Sequence, residues 1–284
     1  MPFPYISTRH GVWGKLPQEG AQTFCWNGAK SKTRPFLTIL TLFIGRDFLL
    51  RKWIRTLVEI NWPKEKIGLL WIYAGKPAVE FSKKLQTELS RLSDYHSRKL
   101  VCHPALPKFL GSDGRGRHQA ICRTYNFSKS YVEPSNFVFL LEDDVIPPEN
   151  VLKNLMSLMR NPRVGCAIGN LRYRPQDGNH GTPLAWEIES EYEIQNGSVR
   201  KSHSVWPAQP QDEGVEEVSS GTFGCTLIRE PLWRNTELVP WSETIFGTDV
   251  NFGPQIREKG YKTMIDWSVR CRHYFQKGGK LAYA

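Results

Sequence analysis

The chain has 284 residues, is 40% hydrophobic and carries a formal net charge of +10. That length suits one large α/β domain or two small ones with a real core, while no apolar run approaches the ~20 residues of a membrane span. Six scattered cysteines without a C-x-x-C pair argue against a zinc site or a disulfide scaffold.

The first residues lack the basic-then-apolar pattern of a signal peptide, so a cytoplasmic location is expected. The positive charge suits a polyanionic partner: nucleic acid such as DNA, an anionic polymer or a membrane surface. Residues 1–34 mix Pro, Gly and polar residues without a period and read as an irregular arm. The run from Phe36 to Phe43 is strand sequence, and Asp47 is a candidate N-cap for a helix with Leu50, Trp53, Ile54, Leu57 and Val58 on one face. Ile67 to Tyr73 predicts a second strand, and Ala78, Phe81, Leu85, Leu89 and Leu92 a second helix. Lys99 to Cys102 predicts a short third strand. This alternation is the signature of β-α-β units on a mostly parallel sheet.

A glycine-rich basic loop over 107–117 precedes a helix expected from about His118 to Tyr131. It reads either as a surface loop or as a place where Arg115, Arg117 or Arg123 meets phosphate oxygens. Next comes the stretch Phe137-Val138-Phe139-Leu140-Leu141-Glu142-Asp143-Asp144. Five apolar residues without alternation predict a strand buried on both faces. Three acids at its end repel one another, and a divalent cation is the usual way to hold them together. The plain alternative is an acidic turn before a helix N-terminus. Pro147 and Pro148 stop the strand, and Pro148 can open the following helix, expected over 149–160.

Val164 to Gly169 predicts another strand. Residues 187–205 predict a smaller antiparallel hairpin, with Asn196-Gly197 as its turn and four alternate glutamates on one face. Val218 to Arg229 is glycine-rich and strand-like, which permits close backbone approach. Asp249 falls where a helix begins, as a first-turn acid or as a carboxylate aimed into a cleft. Gly260 is a candidate C-cap, Thr263 to Trp267 a last strand, and His273 lies just beyond it. Residues 276–284 read as a mobile cationic tail.

Taken in order, Glu142-Asp143-Asp144, the Gly221-to-Arg229 strand, Gly247-Thr248-Asp249, Gly260-Tyr261-Lys262 and His273 resemble the GT-A-fold glycosyltransferases, in particular the family-2-like group that uses nucleotide sugars. The resemblance covers roughly residues 35–275. It implies a Rossmann-like, mostly parallel sheet flanked by helices, with the smaller hairpin on the acceptor side. It also implies a nucleotide-diphosphate sugar as donor and Mn²⁺ or Mg²⁺ as cofactor. Glu142-Asp143-Asp144 stands for the D-x-D motif, so Glu142, Asp144 and His273 become the candidate metal ligands. Donor contacts are implied at Thr41, Phe43, Arg46, Ala74, Arg117, Arg123 and Asp143. Asp249 takes the place of the general base, which implies inversion. Three departures are Glu142 in the first D-x-D position, Tyr73-Ala74-Gly75 where the family usually places acids near the base and ribose, and Thr248 in place of the usual glutamate.

The acceptor implied by charge is an anionic polymer, for instance DNA bearing hydroxymethylated bases. Polysaccharide, lipid-linked sugar and protein acceptors are the alternatives. The rival classes are a non-catalytic GT-A-like binding module and a nucleotidyltransferase. The latter normally wants a phosphate loop where this chain reads Phe43-Ile44-Gly45-Arg46-Asp47.

Overall fold

The run Leu37–Phe43 is apolar at nearly every position because both of its faces are covered. Leu37, Ile39 and Phe43 join one core cluster, while Leu40 and Leu42 join the other. The computed structural model describes residues 20–27, 34–76, 79–103, 114–172, 182–195, 198–239, 247–277 and 280–283.

In chain order the strands are β1 Gln22–Asn27, β2 Leu37–Phe43, β3 Ile67–Tyr73, β4 Ser97–Cys102, β5 Phe137–Leu141, β6 Val145–Ile146, β7 Val164–Asn170, β8 Ala185–Gln195, β9 Ser198–Pro207, β10 Val215–Val218, β11 Ser220–Gly221, β12 Cys225–Arg229, β13 Lys262–Arg270, β14 Arg272–Lys277 and β15 Lys280–Tyr283. The helices are α1 Asp47–Glu59, α2 Glu80–Arg91, α3 Gly114–Ser128, α4 Val151–Leu158, α5 Glu230–Asn235 and α6 Thr248–Glu258.

Nine strands form the central sheet in the order β1-β4-β3-β2-β5-β12-β7-β13-β10. Six of them run in one direction, and β1, β12 and β10 run against it. Helices α1, α2 and α4 cover one face with Leu50, Trp53, Leu85 and Leu152. Helices α3, α5 and α6 cover the other with Tyr125, Trp233 and Phe252. Strands β8 and β9 pair over their whole length as the expected antiparallel hairpin. Its Asn196-Gly197 turn lies outside the described residues, as does the loop at 104–113.

Four local expectations change. The arm is not irregular throughout, because Phe24 and Trp26 alternate inward and β1 pairs antiparallel with β4. The tail is not a free end either, since β15 pairs antiparallel with β14 from Lys277↔Lys280 to Tyr274↔Tyr283. Asp47 is the first helical residue rather than the N-cap, and its carboxylate accepts from Lys84 of α2 at 2.5 Å. Pro148 does not open α4. Its carbonyl accepts from the Val151 N–H in a preceding turn.

Helix α6 ends as its sequence predicts. Gly260 has φ +83°, its N–H donates to the Arg257 carbonyl, and the Tyr261 N–H donates to the Ile256 carbonyl, a Schellman motif. Its near end is pinned to the segment 219–221. A Cβ at Gly253 would overlap the Ser219 carbonyl oxygen, Ser220 Oγ donates to the Asp249 carbonyl at 2.9 Å, and Arg257 donates to Ser219 Oγ at 3.0 Å. Gly253→Ala is therefore expected to cost roughly 1–3 kcal/mol, because backbone rather than a flexible side chain must give way. Urea denaturation checks it.

Candidate metal and donor site

The acids sit in a tight turn between β5 and β6, fastened by backbone on every side. The Glu142 N–H donates to the Gly224 carbonyl at 3.1 Å, and the Val145 N–H to the Glu142 carbonyl at 3.2 Å. Trp53 of α1 donates its indole N–H to that same carbonyl at 3.0 Å. The Tyr274 N–H donates to the Asp144 carbonyl at 2.8 Å. Antiparallel pairing of β6 with β14 sets Val145 opposite His273. Residues over a hundred positions apart thus meet because one two-residue strand finds its partner.

Ligand atoms of Glu142, Asp144 and His273 all lie within 4.8 Å of one another. Two coordination bonds of about 2.1–2.5 Å span at most about 5 Å, so one hard cation fits among them. His273 Nδ1 lies 3.0 Å from the Arg172 carbonyl oxygen. A carbonyl only accepts, so Nδ1 carries the proton. Nε2 then faces Asp144 Oδ2 at 3.5 Å. Such an outer hydrogen bond is how metal-binding imidazoles are held in the ligating tautomer. The donor set of two carboxylates and one imidazole suits Mn²⁺.

Arg46 supplies the charge that the turn needs by itself. Its guanidinium pairs with Asp143 and reaches Asp144 Oδ2 at 3.0 Å. Burial alone would lower its pKa, but Asp143, Asp144 and Glu142 outweigh that and raise it. Asp143 also accepts the Ile44 N–H at 3.1 Å. Burial still holds the Asp143 carboxyl above its ordinary range, against Arg46 and this N–H. Glu142 is pushed up to about 7, first by burial and then by Asp144, with His273 and Arg46 opposing.

The sign of the resulting pH dependence is fixed by that direction. A carboxyl whose folded pKa lies above its unfolded one stabilises the fold fully below about 4.5, and that contribution is lost as pH rises through about 7. A cation must displace the same proton. Mn²⁺ affinity is expected to rise about tenfold per pH unit between pH 5 and 7 and to level off above that, with one proton released per ion. Calorimetry in two buffers of different ionisation enthalpy checks it.

A small cleft opens beside the turn, lined by Leu42, Ile44, Arg46, Ile121, Tyr125, Glu142 and Asp143. Tyr125 remains a neutral phenol, because burial, then Glu142 and Asp249, raise its pKa. The charge of Asp249 thus acts on both Tyr125 and Glu142. Asp249 stands in the first turn of α6, half-buried, with Oδ1 accepting its neighbour's Val250 N–H at 3.0 Å.

The expected donor contacts divide along strand parity. Arg46 and Asp143 line the cleft. Thr41 and Phe43 do not, because alternation turns them to the other face. Phe43 packs between Trp53 and Trp71 at ring distances of 5.2 and 5.0 Å, and Thr41 is fully buried. The side chains that reach the cleft from this strand end are their neighbours Leu42 and Ile44. Ala74 is half-buried against the same core cluster as Leu42. Arg123 is two residues from both Ile121 and Tyr125 and so lies away from the cleft-facing side of α3. Arg117 belongs to α3 one turn before Ile121, and its side chain lies outside those described.

This sheet order, with a metal-ready acidic turn at the carboxyl end of a central strand, is the GT-A fold of nucleotide-sugar glycosyltransferases. Two solved structures share it. A mannosyltransferase from Pyrobaculum calidifontis, in complex with GDP-Man and Mn²⁺, matches with a TM-score of 0.52 and 13% identity over 84% of this chain and 56% of that one. GalNAc-T7, with UDP, GalNAc and Mn²⁺, matches with a TM-score of 0.57 and 11% identity over 86% and 44%. The chain therefore spans about half the length of these structures. No protein-family model matches the sequence, and no curated protein does.

Proposed function

We propose that the chain is a divalent-metal-dependent glycosyltransferase that moves a sugar from a nucleotide-diphosphate sugar to an acceptor hydroxyl with inversion. The observation that carries this is the convergence of Glu142, Asp144 and the oriented His273 at the rim of a cleft in a GT-A fold. The two matched structures, solved with GDP-Man and Mn²⁺ and with UDP, GalNAc and Mn²⁺, support the same reading.

Glu142, Asp144 and His273 hold Mn²⁺ or Mg²⁺, and the ion when bound offsets the charge of the departing diphosphate. Arg46 pairs with Asp143 and Asp144 and holds the turn in place. Asp143 and Tyr125 bound the donor cleft with polar groups, while Leu42, Ile44 and Ile121 exclude water. The acceptor oxygen attacks the anomeric carbon from the side opposite the diphosphate. The carbon–oxygen bond to phosphate breaks, and the acceptor proton goes to the Asp249 carboxylate. One displacement inverts the anomeric centre. The net charge of +10 favours an acceptor carried by a polyanion or at an anionic surface.

The test is a panel of nucleotide sugars with Mn²⁺, read as nucleoside diphosphate release, with and without hydroxymethylcytosine DNA. Metal-dependent release supports transfer, and stimulation by the DNA would identify the acceptor. No release from any donor would leave a binding module.

A further inference from the structure

The second surface of interest is the outer side of α1. Phe48, the adjacent pair Arg51 and Lys52, Arg55 and Val58 recur at helical spacing and form a single exposed stripe. Phe48 is 47% exposed and Val58 51%. Val79, at the N-cap of α2, is exposed as well. Among the described residues the large exposed apolar side chains are these three and Val215, which lies on β10 at the far edge of the sheet. Phe48 and Val58 thus stand at the two ends of α1, with the cations Arg51, Lys52 and Arg55 between them.

The negative charges nearby do not cancel them. Asp47 and Glu80 both engage Lys84, at 2.5 and 3.1 Å, and Glu59 closes the stripe only at its far end. Lys52 Nζ stands 4.7 Å over the Tyr274 ring, on the strand that carries His273.

Position gives the stripe its meaning. Strands β2, β3 and β5 are parallel, so α1, α2 and the acidic turn all begin at the same carboxyl rim of the sheet. Phe48 and Val79 therefore share a rim with Asp144.

We propose that this face docks on an anionic membrane surface, with α1 lying along the headgroups. Cations flanked by exposed apolar side chains match a lipid interface, where the apolar groups enter the acyl boundary and the cations meet acidic headgroups. A nucleic acid would use Arg51 and Arg55 but leave Phe48 and Val58 in water. Docking does not depend on the transfer chemistry, and its test does not involve turnover.

The experiment is co-sedimentation of the full chain with phosphatidylcholine vesicles, with and without about 30% phosphatidylglycerol, at about 0.1 M salt. Binding only to the anionic vesicles is expected. Each cation at such a surface is worth about 1 kcal/mol, so Arg51→Gln with Arg55→Gln should weaken binding about thirtyfold. Phe48→Ser with Val58→Ser should weaken it about tenfold. Both pairs are exposed, and unchanged melting temperatures confirm folding. Absent or charge-indifferent vesicle binding overturns the proposal. So does an unaltered response in the Phe48/Val58 variant combined with displacement by duplex DNA, which would mark a polyanion site instead.

Discussion

Asp144→Asn is expected to lower Mn²⁺ affinity at least a hundredfold and Mn²⁺-dependent sugar transfer by roughly 10³, while leaving the metal-free fold almost as stable as before. Lewis-acid stabilisation of a leaving diphosphate is worth several kcal/mol, and about 4 kcal/mol is a factor of 10³ in rate. The stability half of the expectation follows from Arg46. That guanidinium still has Asp143 after the substitution, so no buried charge is left without a counter-ion. Asp144 also raises the pKa of Glu142, and its loss relieves that repulsion. The two effects oppose, and the net change should stay within about 1 kcal/mol. Thermal melts with and without Mn²⁺ read both halves at once. The variant should melt near the wild-type metal-free temperature and gain nothing from the ion.

Asp249→Asn is expected to act on chemistry and spare the donor. Positioned general bases contribute about 10²–10⁴ in rate. Asn keeps the shape and the Oδ1 contact to the Val250 N–H, so α6 should begin as before. The turnover number should fall by that factor with the donor KM nearly unchanged, and Mn²⁺ binding should persist. An equal loss of donor affinity would instead place Asp249 among the donor contacts. The pair of variants is informative because Asp144 and Asp249 belong to different elements, a strand-end turn and a helix first turn.

The α/β layering was legible because buried parallel strands read as unbroken apolar runs, and β2, β3 and β5 all do. The acidic turn was legible because three adjacent carboxylates at the end of such a run need a cation. Sequence offers fewer means of seeing which cation comes first. Arg46 is almost a hundred residues away from Asp143, and only the parallel pairing of β2 with β5 brings them together. Thr41 and Phe43 face the core, one residue away from Leu42 and Ile44, which line the cleft. A fully buried strand has no polar alternation to show which neighbour faces the cleft, so Leu42 and Ile44 were hidden behind equally apolar partners. Tyr125 was hidden for the same reason, inside a helix whose other inward residues pack the core. The edge strand β1 escaped notice because its inward period is only Phe24 and Trp26. The β14–β15 hairpin escaped because it is short and cationic, with Lys277 paired to Lys280.

On the reading proposed above, Glu142, Asp144 and His273 hold one divalent cation for the donor diphosphate. Pulsed electron paramagnetic resonance of the Mn²⁺-loaded chain tests it most directly. Nitrogen-14 coupling from one imidazole is expected, lost in His273→Gln, with Mn²⁺ bound more tightly when a nucleoside diphosphate is added. Bound Mn²⁺ without nitrogen coupling, at an affinity that Asp144→Asn does not change, would contradict it.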